Sequence, residues 1–256
     1  MITIIIVSLN TKKDLKKTIK SLITQHYKNA EIILVDGDSI DGSIKIIKKY
    51  KNRLNKILIE KDRGIYFAMN KGIKLAKKKW IFFLNAGDIL YEKNTLKNIC
   101  KILINCKEDI VVGNSFVKRK KYLALSPRKK IDNNSIKSCF SHQSSFTKSY
   151  LLKKNLFNTN LKFAADFDFF RKMYNKNKKF LYVDNFISIN KPGGLSDKNQ
   201  VDVAREFKKI IYKNNKNLNN FFKLNLMIIN FSIIKFIKYL LPKVLVVKFK
   251  EFKDNY

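Results

Sequence analysis

The chain has 256 residues, enough to bury a sizeable core as one generous α/β domain or as one domain with an appendage. Its formal net charge is +34, from 54 basic and 20 acidic residues, which points to phosphate-rich partners or an anionic membrane surface. Only six of the basic residues are arginine, which argues against a reader of nucleic-acid sequence, and three cysteines with no C-x-x-C pair argue against a disulfide framework. Two histidines, His26 and His142, leave no polyhistidine zinc site. Residues 2–7 are too short for the apolar region of a signal peptide, and no basic stretch precedes them, so a reducing, cytoplasmic setting is expected.

In chain order, the β-branched run at 2–7 predicts a buried strand. Leu15, Ile19, Leu22 and Ile23 follow at helical spacing. EIILV at 31–35 predicts a second strand, which empties into DGDSIDGS; Asp41 is placed to cap a helix running through Tyr50. A third strand is expected over 56–59, a helix over 65–76 and a fourth strand over 80–84. This β-α-β-α-β-α-β alternation argues for a mostly parallel, Rossmann-like sheet with helices on both faces. The following stretch is less regular. Strands are expected over 109–113, 115–125 and 180–189, a helical stripe at Phe163, Phe167, Phe170 and Tyr174, and a helix over 201–212.

The tail, 218–249, interleaves apolar residues with Lys235, Lys238, Lys243 and Lys248 and is interrupted by Pro242. Its apolar runs look too broken for a spanning helix of about 20 residues. It reads as basic amphipathic helix lying on an anionic membrane surface, or as a helix packed on the domain.

Chemistry concentrates at the strand ends. The first ends in Ser8-Leu9-Asn10, the second in Asp36, the third in Asp62-Arg63-Gly64 and the fourth, WIFFLNAGD, in Asn85-Ala86-Gly87-Asp88. Parallel strands bring their carboxyl ends to one crevice, where ligands of open α/β sheets bind. There Asp36 is placed to accept hydrogen bonds from a base or ribose, Arg63 to neutralise a diphosphate, and Asp88 to hold Mg²⁺ or Mn²⁺. Neither G-x-G-x-x-G nor G-x-x-x-x-G-K-[ST] is present, so phosphate has to be held by metal and a basic side chain.

ITIIIVSLN, EIILVDGDSIDGS, EKDRGIYFAMNKGIKLA and WIFFLNAGD, in this order and spacing, resemble the nucleotide-binding half of family 2 glycosyltransferases with the GT-A fold. SHQSSF, AADFDFF and KPGGLS resemble that family's acceptor half, as in bacterial enzymes of surface-polysaccharide assembly. The resemblance covers roughly residues 1–200 and implies a GT-A domain over 1–215, with a nucleotide-sugar half (1–90) and an acceptor half (91–215), followed by the tail at 216–256. By position it implies that Ser8, Asn10 and Asp36 line the base and ribose pocket, that Arg63 and Asn70 flank the base and diphosphate, and that Asp88 is the metal-binding acid. Asn85 stands at the first acid of the D-x-D-like motif, Gly87 replaces another, and Phe67 stands where an acid is common.

Asp166 is the expected catalytic base, since inverting transfer needs a carboxylate to take the acceptor proton and a helix N-terminus favours its ionised form. Asp168 is its rival, but two residues along a helix is about 200° of rotation, so both cannot face one pocket. His142 and Gln143 are candidates to touch acceptor or donor phosphate, or to make structural hydrogen bonds. Gly193, Gly194 and Ser196 are candidates for a loop over the site, and Lys191 for a phosphate contact.

The expected function is therefore inverting, metal-dependent transfer of a sugar from a UDP-linked donor to a hydroxyl of a glycan or lipid-linked oligosaccharide. The enzyme would sit peripherally on the cytoplasmic face of the inner membrane, with no nucleic-acid partner. The alternatives are a non-catalytic basic module binding nucleic acid or anionic membrane on a vestigial sugar-nucleotide fold, and a nucleotidyltransferase. The last usually carries a Gly-rich basic loop after the first strand, and SLNTKKDL has no glycine.

Overall fold

The computed structural model describes residues 1–214 and 218–240. Four βα units open the chain: β1 (Ile2–Ser8), α1 (Lys12–Ile23), β2 (Glu31–Asp36), α2 (Ser43–Lys49), β3 (Lys56–Ile59), α3 (Ile65–Leu75) and β4 (Trp80–Phe83), then the short β5 (Ile89–Leu90) and α4 (Thr95–Asn105). The second part holds β6 (Ile110–Lys118), β7 (Leu123–Leu125), β8 (Ser145–Lys148), α5 (Ser149–Lys154), α6 (Ala165–Asn175), β9 (Phe180–Asn190), α7 (Leu195–Lys198), α8 (Gln200–Asn214) and α9 (Leu218–Leu240).

The strand order is β3-β2-β1-β4-β8-β6-β9-β5, with β7 added on β6. Strands β1 to β4 pair in parallel, as the alternation predicts. The sheet as a whole is mixed, not mostly parallel, because β8 enters between β4 and β6 antiparallel to both, and β5 and β7 also pair antiparallel. β8 is reached through the irregular stretch 126–144, which is long enough for a crossover but lacks the apolar periodicity of a crossover helix. The sequence reading had no element at β5, α4, β8 or α5.

Period-two alternation divides the core. Ile5 and Val7 point to the face covered by α3, α5, α6 and α8, whereas Ile4 and Ile6 point to the face covered by α1, α2 and α4. Helices therefore cover both faces. Each fully buried isoleucine contributes roughly 1.5–3 kcal/mol. Phe82 of β4 and Phe146 of β8 stack at 4.6 Å and hold the antiparallel junction.

α9 corrects the reading of the tail. It runs unbroken for 23 residues, and Leu218–Ile237 is long and apolar enough to cross a membrane by length and composition, with a mean hydropathy of 1.3. Lys223 and Lys235 interrupt that segment only locally. α9 packs on α8 through Leu224 and a Tyr212–Phe221 ring contact at 5.8 Å, yet only 11% of the segment is buried. Pro242, Lys243 and Lys248 lie outside the described residues.

Candidate active site

The parallel strands bring Ser8 and Asp36 side by side, in register, at their carboxyl ends. Asp36 is wholly buried. Its carboxylate accepts from Ser8 Oγ (2.5 Å), Ser39 Oγ (2.9 Å) and the Ser39 N–H (2.7 Å). Asn10, at φ 51°, accepts from the Ile40 N–H at 2.9 Å and donates its own N–H to Ser39 Oγ at 2.8 Å. The loops after β1 and β2 are thus tied into one wall around the Asp36 carboxylate. The Asp41 carboxylate accepts the Ser43 N–H at 2.9 Å and that of Lys12 at 2.8 Å, but the N-cap of α2 is Gly42 and no side chain caps it, so Asp41 ties the starts of α1 and α2 together instead of capping the helix.

Arg63 is exposed in the loop before α3. Asn70 is placed differently from the expectation: it is buried, with Nδ2 donating to Phe157 O (2.9 Å) and Oδ1 accepting the Phe157 N–H (3.0 Å). It braces α3 to the acceptor half, and this brace uses both of its amide functions.

After β4 the chain turns sharply. The Asp88 N–H donates to Asn85 O at 3.0 Å, and Gly87 takes φ +112°. A Cβ at Gly87 would also lie 2.8 Å from Lys191 Cδ, so the close approach of that side chain requires glycine. Thr18 Oγ1 of α1 accepts from the Gly87 N–H (2.9 Å) and donates to Asp88 O (2.7 Å), fixing the turn. Asp88 is 4% exposed; Oδ1 accepts the Lys191 N–H at 2.8 Å and Oδ2 accepts from Gln143 Nε2 at 3.0 Å. Burial pushes its carboxyl above the usual range despite those two bonds.

Asp166 lies in the first turn of α6, with its side chain 18% exposed, enough for a hydroxyl to reach. Oδ1 accepts from Tyr66 Oη (3.0 Å) and the Phe167 N–H (2.9 Å), and Oδ2 accepts from His142 Nδ1 (2.8 Å). Burial pushes this carboxyl up, but the His142 bond, with the Phe167 and Tyr66 donors, outweighs it and holds it below the usual range. The Tyr66 hydroxyl is pushed well up by burial and by the Asp166 charge, so it stays a donor. Asp168 points elsewhere and pairs with Lys172 at 2.5 Å, as the helical rotation demands.

His142 and Gln143 join the two acids. His142 Nε2 lies 3.2 Å from Asn85 Nδ2 while Nδ1 faces Asp166, so these partners assign the proton to Nδ1. Its neighbour Gln143 holds Asp88 and accepts a short bond from the Ser141 hydroxyl. Asn85, Asp88, His142, Gln143 and Asp166 therefore form one connected network. Asn85 Oδ1 is buried without a hydrogen-bond partner, an arrangement that suits a cation.

Gly193 (φ +77°), Gly194 and Ser196 are exposed, just beyond Lys191. Lys191 serves Asp88 through its backbone, and its ammonium pairs with Asp14. Sequence reasoning missed Tyr66 and Glu206. Glu206 of α8 accepts the N–H groups of Lys162 (2.7 Å), Phe163 (3.0 Å) and Ala164 (2.9 Å), the turn that delivers Asp166. Its signal was faint: an acid in a helix followed by lysines, VAREFKK.

Strand-end acids on a sheet of this order, with a helix-borne carboxylate opposite, define a sugar-transferase fold of the GT-A type. The solved structure of Staphylococcus aureus TarS 1–349 in complex with UDP-GlcNAc superposes with a TM-score of 0.66 at 20% identity, covering 82% of this chain and 66% of that one. The chain spans 39% of a longer TarS structure. The mannosyltransferase PcManGT from Pyrobaculum calidifontis, in complex with GDP-Man and Mn²⁺, gives 0.67 at 15% identity, over 100% of this chain and 80% of that one. The family model "Glycosyl transferase family 2" matches residues 3–178, and the chain belongs to that family. A PGL/p-HBAD biosynthesis glycosyltransferase of Mycobacterium bovis (strain BCG / Pasteur 1173P2) is 30% identical over 221 residues, 82% of this chain and 83% of the relative. The cholesterol galactosyltransferase of Borreliella burgdorferi is 29% identical over 131 residues, half of this chain and 36% of the relative.

Proposed function

We propose that this glycosyltransferase moves one sugar, with inversion, from a UDP-linked donor to a hydroxyl of a glycan or lipid-linked oligosaccharide in cell-surface polysaccharide synthesis. The observation that carries this reading is the junction of Asp88 and Asp166 through the consecutive residues His142 and Gln143. The acceptor oxygen bonds to the anomeric carbon as the carbon–oxygen bond to the diphosphate breaks, and the acceptor proton passes to Asp166. Oδ2, with one partner, is the oxygen left to receive it. His142 and Tyr66 keep that carboxylate ionised and oriented until then.

Among the described residues no cluster of three or more His, Cys, Asp or Glu stands ready for a metal. One carboxylate and a free amide oxygen still fit Mg²⁺ or Mn²⁺, which bind through one or two carboxylates plus substrate phosphates. Asp88 and Asn85 Oδ1 would hold the ion, which when bound would supply positive charge to the departing diphosphate. Ser8, Asn10 and Arg63 serve the nucleotide, Asp36 from its buried position holds Ser8 and the Ser39 loop in place around it instead of touching the base itself, and the 193–196 loop borders the site. α9 docks the protein on the cytoplasmic face of an anionic membrane, where a lipid-linked acceptor resides.

The test is a panel of nucleotide-sugars with Mn²⁺ or Mg²⁺, following nucleoside diphosphate release with and without membrane extract. UDP release from at least one donor is expected. If no donor binds or turns over, the reading fails.

A further inference from the structure

Away from the two acids, an open cleft of about 650 Å³ lies between α8 and α9, lined by Arg205, Lys208, Lys209, Tyr212, Phe221 and Asn225. The α8 residues recur at i, i+3, i+4 and i+7, so one helix face turns three cations and a ring toward α9. Lys208 is held in place: its Nζ lies 2.7 Å from Asn225 Oδ1 and 4.4 Å from the centroid of Phe221. Arg205 is paired with Asp202, whose carboxylate takes its Nη1 at 3.0 Å. Arg205 is one of only six arginines in the chain, against 48 lysines, so the abundance of lysine does not account for it.

A guanidinium fork beside two ammonium groups matches the oxygens of a phosphate ester. The cleft opens beside an apolar surface. Leu226, Ile229, Ile233 and Ile237 follow at helical spacing along α9 and are 47–60% exposed. A soluble phosphate has no use for that stripe, whereas a lipid presents an anionic head and apolar chains at this spacing.

We propose that the α8–α9 cleft binds the phosphate of an anionic lipid headgroup, with the acyl chains lying along the exposed face of α9. The proposal rests on the membrane docking of α9 stated above and names the chemistry that docking recognises.

Flotation of the full chain with vesicles tests it. Phosphatidylcholine vesicles are used alone and with surface charge matched by phosphatidic acid or by oleate, so that phosphate and carboxylate are compared at equal charge. The double variant Arg205→Gln/Lys209→Gln is set against Lys45→Gln/Lys49→Gln, which removes two exposed cations at the same spacing on α2. The wild type should prefer phosphatidic acid over oleate about fivefold. The cleft variant should lose that preference and bind phosphatidic acid vesicles roughly tenfold more weakly, with the α2 variant within about twofold of wild type. Equal losses in the two variants, or no preference for phosphate over carboxylate, would overturn the cleft as a site while leaving membrane docking intact. Wild type that floats with no vesicle removes the docking itself and the cleft with it. Calorimetric binding of glycerol 3-phosphate as tight as that of the vesicles would assign the cleft to a free phosphate ester and overturn the lipid.

Discussion

The donor half and the acceptor half build their shares of the site in different ways. Ser8, Asn10 and Asp36 stand at the ends of parallel strands and are held by close neighbours of the same half, as Asp36 is by Ser8 and Ser39, whereas Asn70, Asn85 and Asp88 take partners from the acceptor half. In the acceptor half, the pair His142 and Gln143, Asp166 and Lys191 come from three separate segments and are fixed by bonds to one another or across to the donor half. The two acids differ accordingly. Asp88 is buried with too few donors, and its carboxyl is pushed up. Asp166 is partly exposed and has donors enough to hold its carboxyl down. The donor side bears an electrostatic cost that a cation would relieve, while the acceptor side is already compensated by the protein.

The sharpest break of this contrast is Asp166→Asn. The turnover number should fall about 10³-fold with donor affinity within about twofold, read by diphosphate release and calorimetry. Full activity would show the base misassigned. A carboxyl held low in the folded protein contributes stability that is fully present above its unfolded pKa, near 3.9, and is lost as pH falls through the folded value. The stability gap between wild type and Asp166→Asn in urea unfolding should therefore be widest near neutrality and close at acidic pH.

Asp88→Asn should lower activity about 10²-fold and move stability the other way. A carboxyl held high in the folded protein costs stability once ionised, so the cost is present above the folded pKa and absent below about 3.9. At neutral pH the variant should melt higher than wild type in metal-free buffer, with the difference vanishing as pH falls. A lower melting temperature at neutral pH would mean that the Lys191 and Gln143 bonds outweigh burial. His142→Ala comes next, with a roughly tenfold loss of kcat. The acid limb of its pH profile should shift upward, because Asp166 loses its chief donor. An unmoved limb would separate His142 from the state of the base.

The contrast also decides what the sequence could show. Strands β1 to β4 and their strand-end residues were legible because continuous β-branched runs alternate with helical periodicity, and a parallel sheet then dictates where Ser8, Asp36 and Asp88 gather. The helical stripe from Phe163 to Tyr174 likewise placed Asp166 on one face and Asp168 on another. β8 was not legible, since SFTK is short and its pairing with β4 spans more than sixty residues of intervening chain. Asn70 looked like a pocket residue within a strand-end motif, and only the long-range partner Phe157 shows it to be a brace. No local pattern announces a contact between residues 87 positions apart. α9 read as broken because each lysine was weighed by itself and not within a window of helix length.

Glu206 is the residue where the acceptor half depends most on a partner that sequence could not reveal. One carboxylate accepts three consecutive backbone N–H groups from the turn before α6, and Phe163 in that turn also accepts the Tyr66 hydroxyl at 3.0 Å. Glu206→Gln exchanges a charged double acceptor for a neutral amide with a single oxygen and leaves at least one of those groups unpaired. Stability should fall by about 1–2 kcal/mol. The effect on catalysis should be the smallest of the series, because Phe167 and Phe207 still lock α6 to α8 through an edge contact at 4.7 Å. A fall in kcat of about three- to fivefold is expected. KM for the donor should stay unchanged, since Ser8, Ser39, Gln143 and Lys191, which hold the Asp36 and Asp88 carboxylates, lie outside α8. Thermal melting and steady-state kinetics of this one variant, with Glu206→Asp as the conservative rescue, separate two roles. A lower melting temperature with unchanged kcat confines Glu206 to the fold, whereas a kcat restored by aspartate ties it to the placement of Asp166.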